Sequence, residues 1–142
     1  MILSLRFKFD AAHRLMHHSG QCRNLHGHTW LVEVVIGGAI NKKSGMVADF
    51  KDLKLRFMAV INKYDHTTIL NKDDTILPPS YDLRRVYVDG EPTCENLSIK
   101  LFKELAQVLH TELGLESVRV WESKDASAIA TEVMMTREER NE

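Results

Sequence analysis

The chain has 142 residues, 44% of them hydrophobic and 27% charged, with a formal net charge of −1 at neutral pH. That length suits a single domain, residues 1–142, able to bury a core without disulfide staples. The balanced charge excludes the polybasic profile of a nucleic-acid or anionic-membrane binder, so any charged ligand has to be met locally.

Leu3, Leu5, Phe7 and Phe9 alternate with Ser4, Arg6, Lys8 and Asp10, the period of a strand with one buried face. The same stretch lacks the basic, apolar and small-residue order of a secretory signal, which predicts a cytoplasmic protein. Cys22 and Cys94 then read as free thiols rather than a disulfide. From His28 to Ile36, β-branched and aromatic residues predict a second strand closed by Gly37-Gly38, leaving 14–27 as a loop or broken hairpin. The longest apolar run, Trp30 to Ile40, is interrupted by Glu33 and the glycines and is too short to span a bilayer.

Phe50, Leu53, Phe57, Val60, Ile61 and Tyr64 recur at helical spacing behind a capping Asp49, placing a first helix at Asp49 to Lys63. Residues 71–92 carry Pro78, Pro79, Asp89-Gly90 and Pro92 and read as a long excursion holding a short strand around Arg85 to Val88. Leu97, Leu101, Leu105, Val108 and Leu109 mark a second helix from Pro92-Thr93 to Gly114. Leu115 to Ser123 and Ala128 to Met135 follow as strands, with TREERNE as a solvated tail. The order β-β-α-α-β-β, with strands in sequential pairs, predicts an α+β layer in which an antiparallel sheet carries both helices on one face. The opposite face then needs a partner or a second copy of the chain.

Residues 13–30, HRLMHHSGQCRNLHGHTW, hold five of the chain's seven histidines and one of its two cysteines. His26 and His28 stand two apart at a strand entrance, so both imidazoles project from one face. His13, just past the first strand, joins them if the two strands pair as neighbours. Three neutral imidazoles suit Zn²⁺ and leave a fourth tetrahedral position open, the arrangement of a catalytic site. Without a metal, the same histidines would be ordinary surface or satisfied core residues; the third histidine and the nearby cysteine favour the metal. His17 and His18 are adjacent, so on a strand they would face opposite ways, and they read as loop residues. Cys22 either closes the site as a fourth, structural ligand or keeps its sulfur free beside the metal.

CRNLHGH at 22–28, FDAAH at 9–13, GMVADFKDLK at 45–54, YDH at 64–66, PTCEN at 92–96 and WES at 121–123 together resemble the 6-pyruvoyl-tetrahydropterin synthase family. The match runs through nearly the whole chain in order. Within the family, cysteine followed by three residues and HGH is similar to the bacterial 6-carboxy-5,6,7,8-tetrahydropterin synthases of queuosine biosynthesis. The resemblance implies the tunnelling fold, in which such units close their sheets into a barrel with helices outside. The implied partner is the chain itself, as a hexamer of two trimers or a tetramer, with no nucleic acid and no membrane.

The resemblance also makes His13, His26 and His28 the zinc ligands and Cys22 the proton acceptor, with Asp65 and His66 as the family's Asp-His pair. It makes Glu122 the carboxylate that anchors the pterin edge and joins the proton relay, and Thr93 and Glu95 part of the pocket wall. Read without it, Asp65-His66 is a polar helix exit, Glu122 a solvent-facing strand residue, and Thr93 and Glu95 a helix cap and first turn. The implied reaction converts 7,8-dihydroneopterin triphosphate to 6-carboxy-tetrahydropterin, acetaldehyde and triphosphate. Stopping at the 6-pyruvoyl product, or binding zinc and pterin without catalysis, are the alternatives. Two features depart from the family pattern: the 71–92 excursion is long, and Cys94 stands where serine is common. Arg14, Arg23 and Lys124 are candidate triphosphate contacts whose default role is surface solubility.

Overall fold

The computed structural model describes residues 1–138 of the chain. Its strands are β1 (Ile2–His13), β2 (His26–Gly37), β3 (Thr67–Asn71), β4 (Arg85–Val88), β5 (Gly114–Trp121) and β6 (Ser127–Thr131). Its helices are α1 (Phe50–Ile61), α2 (Cys94–Val108) and α3 (Glu132–Glu138), and a 3-10 turn spans Gln21–Arg23. The strands form one sheet in the order β4-β3-β1-β2-β5-β6.

The α+β layer expected from the sequence is present, and the pairs β1-β2, β2-β5 and β5-β6 are antiparallel. The sheet is nevertheless mixed, because β3 pairs parallel with β1 and β4 parallel with β3. The short strand in the excursion was anticipated; β3 was not. Its five residues TTILN are all buried and lack polar alternation, the signature of a parallel strand covered on both faces.

Alternation in β1 and β2 builds the core. Phe7 faces Val32, Phe9 faces Trp30 and Leu5 faces Val34 across the ladder, and directly opposed residues share a face. Val118, Val120 and Ala130 extend that face across β5 and β6. Helix α1 buries Leu53, Phe57, Val60 and Ile61 against it, and α2 buries Leu97, Leu101, Phe102 and Leu105. Each such side chain contributes about 1.5–3 kcal/mol by leaving water. Both helices start on side-chain caps: Asp49 accepts the Lys51 N–H at 2.7 Å, and Thr93 the Asn96 N–H at 3.3 Å.

The opposite sheet face carries polar residues and Trp121. Arg6 pairs with Glu33 at 2.8 Å, and the guanidinium of Arg119 lies 5.4 Å from the Trp121 ring centre. No helix of the described residues is long and apolar enough to cross a membrane.

Two boundaries differ from expectation. Helix α2 ends at Val108, where Leu109 turns extended, short of the Gly114 stop read from sequence. The run Ala128 to Met135 divides: β6 ends at Thr131, and helix α3 turns Met135 into the core while Val133 and Met134 stay exposed. The TREERNE tail therefore begins inside α3, and its last four residues lie outside the described ones.

Arg14 corrects another reading. Its Nε donates to Asp74 Oδ2 at 2.6 Å and its Nη1 to the Arg23 carbonyl at 3.3 Å, with the Arg14 side chain only 13% exposed. It is a clasp joining the segment after β1 to the loop after β3, already engaged and not a surface residue. Burial raises the Asp74 carboxyl, but bonds from Arg14 and the Ile76 N–H outweigh it and leave the group below its ordinary value. A carboxyl lowered by folding stabilises the fold above its unfolded value of 3.8, and that contribution disappears as pH falls through the lower native value. Asp74→Asn is expected to cost about 2 kcal/mol near neutral pH, the worth of a charge-assisted bond to a poorly solvated partner. Urea unfolding as a function of pH should show the difference from wild type vanishing in acid.

Candidate metal centre and its surroundings

The β1-β2 ladder sets His13 opposite His26 and Ala11 opposite His28. The three imidazoles therefore continue the core face beyond Phe9 and Trp30, where the sheet runs out from under the helices. His13 is 1% exposed. The ring centres of His13 and His28 lie 4.9 Å and 5.3 Å from that of Trp30, both edge-on, so the indole forms the floor of the site.

Hydrogen bonds to backbone fix two of the rings. His13 Nδ1 lies 2.8 Å from the Pro92 carbonyl, and His26 Nδ1 2.7 Å from the Asn24 carbonyl. A carbonyl only accepts, so both Nδ1 atoms carry the proton and both Nε2 atoms present lone pairs. Those Nε2 atoms face each other at 3.0 Å. Two lone pairs at that separation repel unless a cation lies between them. His28 Nε2 is buried with no hydrogen-bond partner among the described residues, and Glu122 Oε1 stands 3.4 Å away.

These four residues offer ligand atoms that all lie within 4.8 Å of one another. A tetrahedral zinc with nitrogens at about 2.0–2.1 Å separates its ligands by roughly 3.3 Å, close to the spacings seen here. Burial pushes the His13 and His28 imidazoles below their ordinary value, which favours the neutral form a metal requires. The donor set, the unpartnered nitrogen and the second bonds from Pro92 and Asn24 fit a zinc ion.

Glu122 follows the end of β5 by one residue, its N–H bonded to Ala126 O at 3.2 Å. Alternation with Val118 and Val120 turns it onto the core face, toward the imidazoles and away from solvent. The sequence singled it out as a substrate contact; its place beside His28 was not foreseen, although the alternation carried the signal.

Cys22 sits half-exposed on the 3-10 turn, a free thiol outside the group of four. Its carbonyl accepts the Leu15 N–H at 2.9 Å, folding the 14–25 loop back on itself. His18 Nδ1 accepts the Gly20 N–H at 2.8 Å, and His17 Nε2 lies 3.9 Å from Glu91 Oε1, so neither joins the group.

Asp65 and His66 lie in the turn between α1 and β3. His66 Nδ1 donates to Asp65 Oδ2 at 2.8 Å, and Asp65 Oδ1 accepts the Asp10 N–H at 2.9 Å. The Asp10 N–H, and after it His66, hold the Asp65 carboxyl below the usual range. His66 adopts φ 55°, a region uncommon for residues other than glycine. Its ring is 75% exposed, and His66 and His28 line one open groove of 440 Å³ together with Asp10, Thr29, Gly27 and Thr67. Thr93 caps α2 and Glu95 lies exposed on its first turn. Cys94 donates its thiol to the Val120 carbonyl at 2.8 Å, and burial raises its ordinary value.

A family model described as 6-pyruvoyl tetrahydropterin synthase matches residues 2–133. The chain belongs to the 6-pyruvoyl tetrahydropterin synthase family. It is 34% identical over 131 residues to a 6-carboxy-5,6,7,8-tetrahydropterin synthase of Haemophilus influenzae, covering 85% of this chain and 92% of that one. A protein of Archaeoglobus fulgidus provisionally given the same name is 38% identical over 125 residues, covering 88% and 90%. Among solved structures, the 6-pyruvoyl tetrahydropterin synthase of Caenorhabditis elegans superposes with a TM-score of 0.70 at 26% identity, covering 92% of this chain and 94% of that one. An uncharacterized protein from Wolinella succinogenes superposes with 0.79 at 21% identity, covering 93% and 98%. The mixed sheet with helices on one face is thus the tunnelling fold of this family.

Zinc at a hundredfold excess over its dissociation constant should stabilise the wild type by about 2.7 kcal/mol. The His13→Ala variant should show no zinc-dependent shift. Thermal unfolding with and without metal, alongside atomic absorption, checks both.

Proposed function

We propose that the chain is a single-domain, zinc-dependent lyase, a 6-carboxy-5,6,7,8-tetrahydropterin synthase of queuosine biosynthesis. It converts 7,8-dihydroneopterin triphosphate to 6-carboxy-tetrahydropterin, acetaldehyde and triphosphate. The observation that carries the reading is the convergence of three imidazole Nε2 atoms, one of them buried without a partner, beside a groove that also holds His66. Relatives named for the 6-carboxy product support that product over the 6-pyruvoyl one.

His13, His26 and His28 would hold the zinc, which when bound acidifies a substrate hydroxyl and stabilises negative charge on it. Cys22, free and half-exposed, accepts a proton from the substrate side chain as thiolate. His66 carries its Nδ1 proton to Asp65, so its Nε2 lone pair is free to take or return a proton. Glu122 accepts paired N–H bonds from the guanidine-like edge of the pterin, holding the ring next to the imidazoles. Thr93 and Glu95 wall the same pocket. The polar sheet face closes against further copies of the chain in a cytoplasmic homo-oligomer, which supplies the cover that a lone chain lacks.

Mass spectrometry of products from zinc-loaded protein and 7,8-dihydroneopterin triphosphate tests the reading. Acetaldehyde and the 6-carboxy product are expected. A 6-pyruvoyl product without acetaldehyde would move the chain to the other activity in its family, and no consumption would make it a binding protein. Cys22→Ala should lower turnover on the order of a hundredfold or more while zinc content stays at the wild-type level.

A further inference from the structure

Asp10 and Thr29 face each other across the β1-β2 ladder, one rung from the pair Ala11 and His28. Both are exposed, and on sequence alone they are solvent-side residues of alternating strands. Their bonding is different from that of ordinary rim residues. Asp10 spends its backbone N–H on Asp65 Oδ1 at 2.9 Å and its carbonyl on the His66 N–H at 2.7 Å. Its backbone is therefore turned toward β3, and its pair with Thr29 is the kind without ladder bonds, in which side chains lie closest. The bond across that rung is instead Thr29 Oγ1 to Asp10 Oδ1 at 2.5 Å.

We infer that Thr29 and Asp10 are positioning residues that tie the Asp65-His66 pair to the histidine cluster. The inference deepens the proposed synthase reading and rests on it for its kinetic consequence. The physical case begins with His66, whose ring is 75% exposed. An exposed imidazole on a turn samples several rotamers unless something selects one. Here Asp65 selects it, and Asp65 is itself gripped through Asp10: one carboxylate oxygen goes to the Asp10 N–H and the other to His66. The φ of 55° at His66 is held by the second Asp10 bond, so the strained turn and the ring orientation share one support. Thr29 fixes that support to β2 at the residue next to His28. The four residues Asp10, Thr29, His28 and His66 all line the same groove. A chain of short bonds thus sets where the base stands relative to the buried imidazoles.

The test compares wild type, Thr29→Val and Thr29→Ser, each loaded with zinc. Thr29→Val removes the rung bond at nearly constant volume, and Thr29→Ser keeps it. For Thr29→Val, kcat is expected to fall on the order of tenfold to a hundredfold with KM and zinc content unchanged, the scale of a misplaced reacting group. Thr29→Ser should restore kcat. Unchanged kcat in Thr29→Val, loss of zinc along with activity, or failure of serine to rescue would each overturn the inference. NMR supplies a readout independent of turnover. The Nδ1 proton of His66, hydrogen-bonded to Asp65, should weaken or shift in Thr29→Val and persist in Thr29→Ser; an unchanged ring signal in the valine variant would overturn the inference too. If the wild type fails to consume the pterin, the synthase reading fails by itself, and the NMR comparison still decides the positioning.

Discussion

The register of one strand pair governs the rest of this molecule. With Phe9 opposite Trp30, the next rungs on the same face are Ala11 with His28 and His13 with His26. A slip of one residue would turn every one of these side chains to the other face, stripping the core of its aromatic residues and dispersing the imidazoles together. The hydrophobic pattern that selects the register is therefore also what assembles the candidate metal centre. Fold and site are not separable here, because the same alternation supplies Phe7 and Phe9 to the core and His13 to the cluster.

Such a cluster is costly without a cation. Buried imidazoles lose hydration, two Nε2 lone pairs are directed at each other, and a third Nε2 has no donor. Desolvation keeps the rings neutral, so protonation is a poor remedy, whereas a divalent ion satisfies all three nitrogens at once. The surrounding structure accepts this arrangement through contacts that cost little: the Pro92 and Asn24 carbonyls would otherwise need water, and Trp30 closes the floor. The groups suited to proton transfer lie on separate supports, Cys22 on a short turn and His66 on the strained link into β3. Placing them on loops while the nitrogens ride on strands allows substrate to approach without disturbing the ligand set.

Much of this was legible in the sequence, and the reason is periodicity. Alternation from Leu3 to Phe9 and the β-branched run after His28 named the central strands, and the H-x-H spacing put two imidazoles on one side. Both main helices followed from apolar spacing and from their Asp49 and Thr93 caps. What escaped were features that depend on tertiary neighbours. TTILN is too short and too uniformly apolar to reveal a parallel pairing with β1. The Arg14-Asp74 clasp joins residues far apart in sequence, and nothing local to either one announces it. The stretch at 128–135 has β propensity throughout, yet its second half turns helical to bring Met135 under the sheet. Asp10 and Thr29 were read as the outward half of an alternation, because sequence cannot say which outward groups line a groove.

The central claim is a metal held by three imidazoles with the thiol of Cys22 left free, and X-ray absorption at the zinc edge reads that coordination directly. The account predicts a first shell of light atoms at about 2.0–2.1 Å with the multiple scattering of three imidazole rings and no sulfur. A sulfur shell at about 2.3 Å, or fewer than three imidazoles, would contradict it.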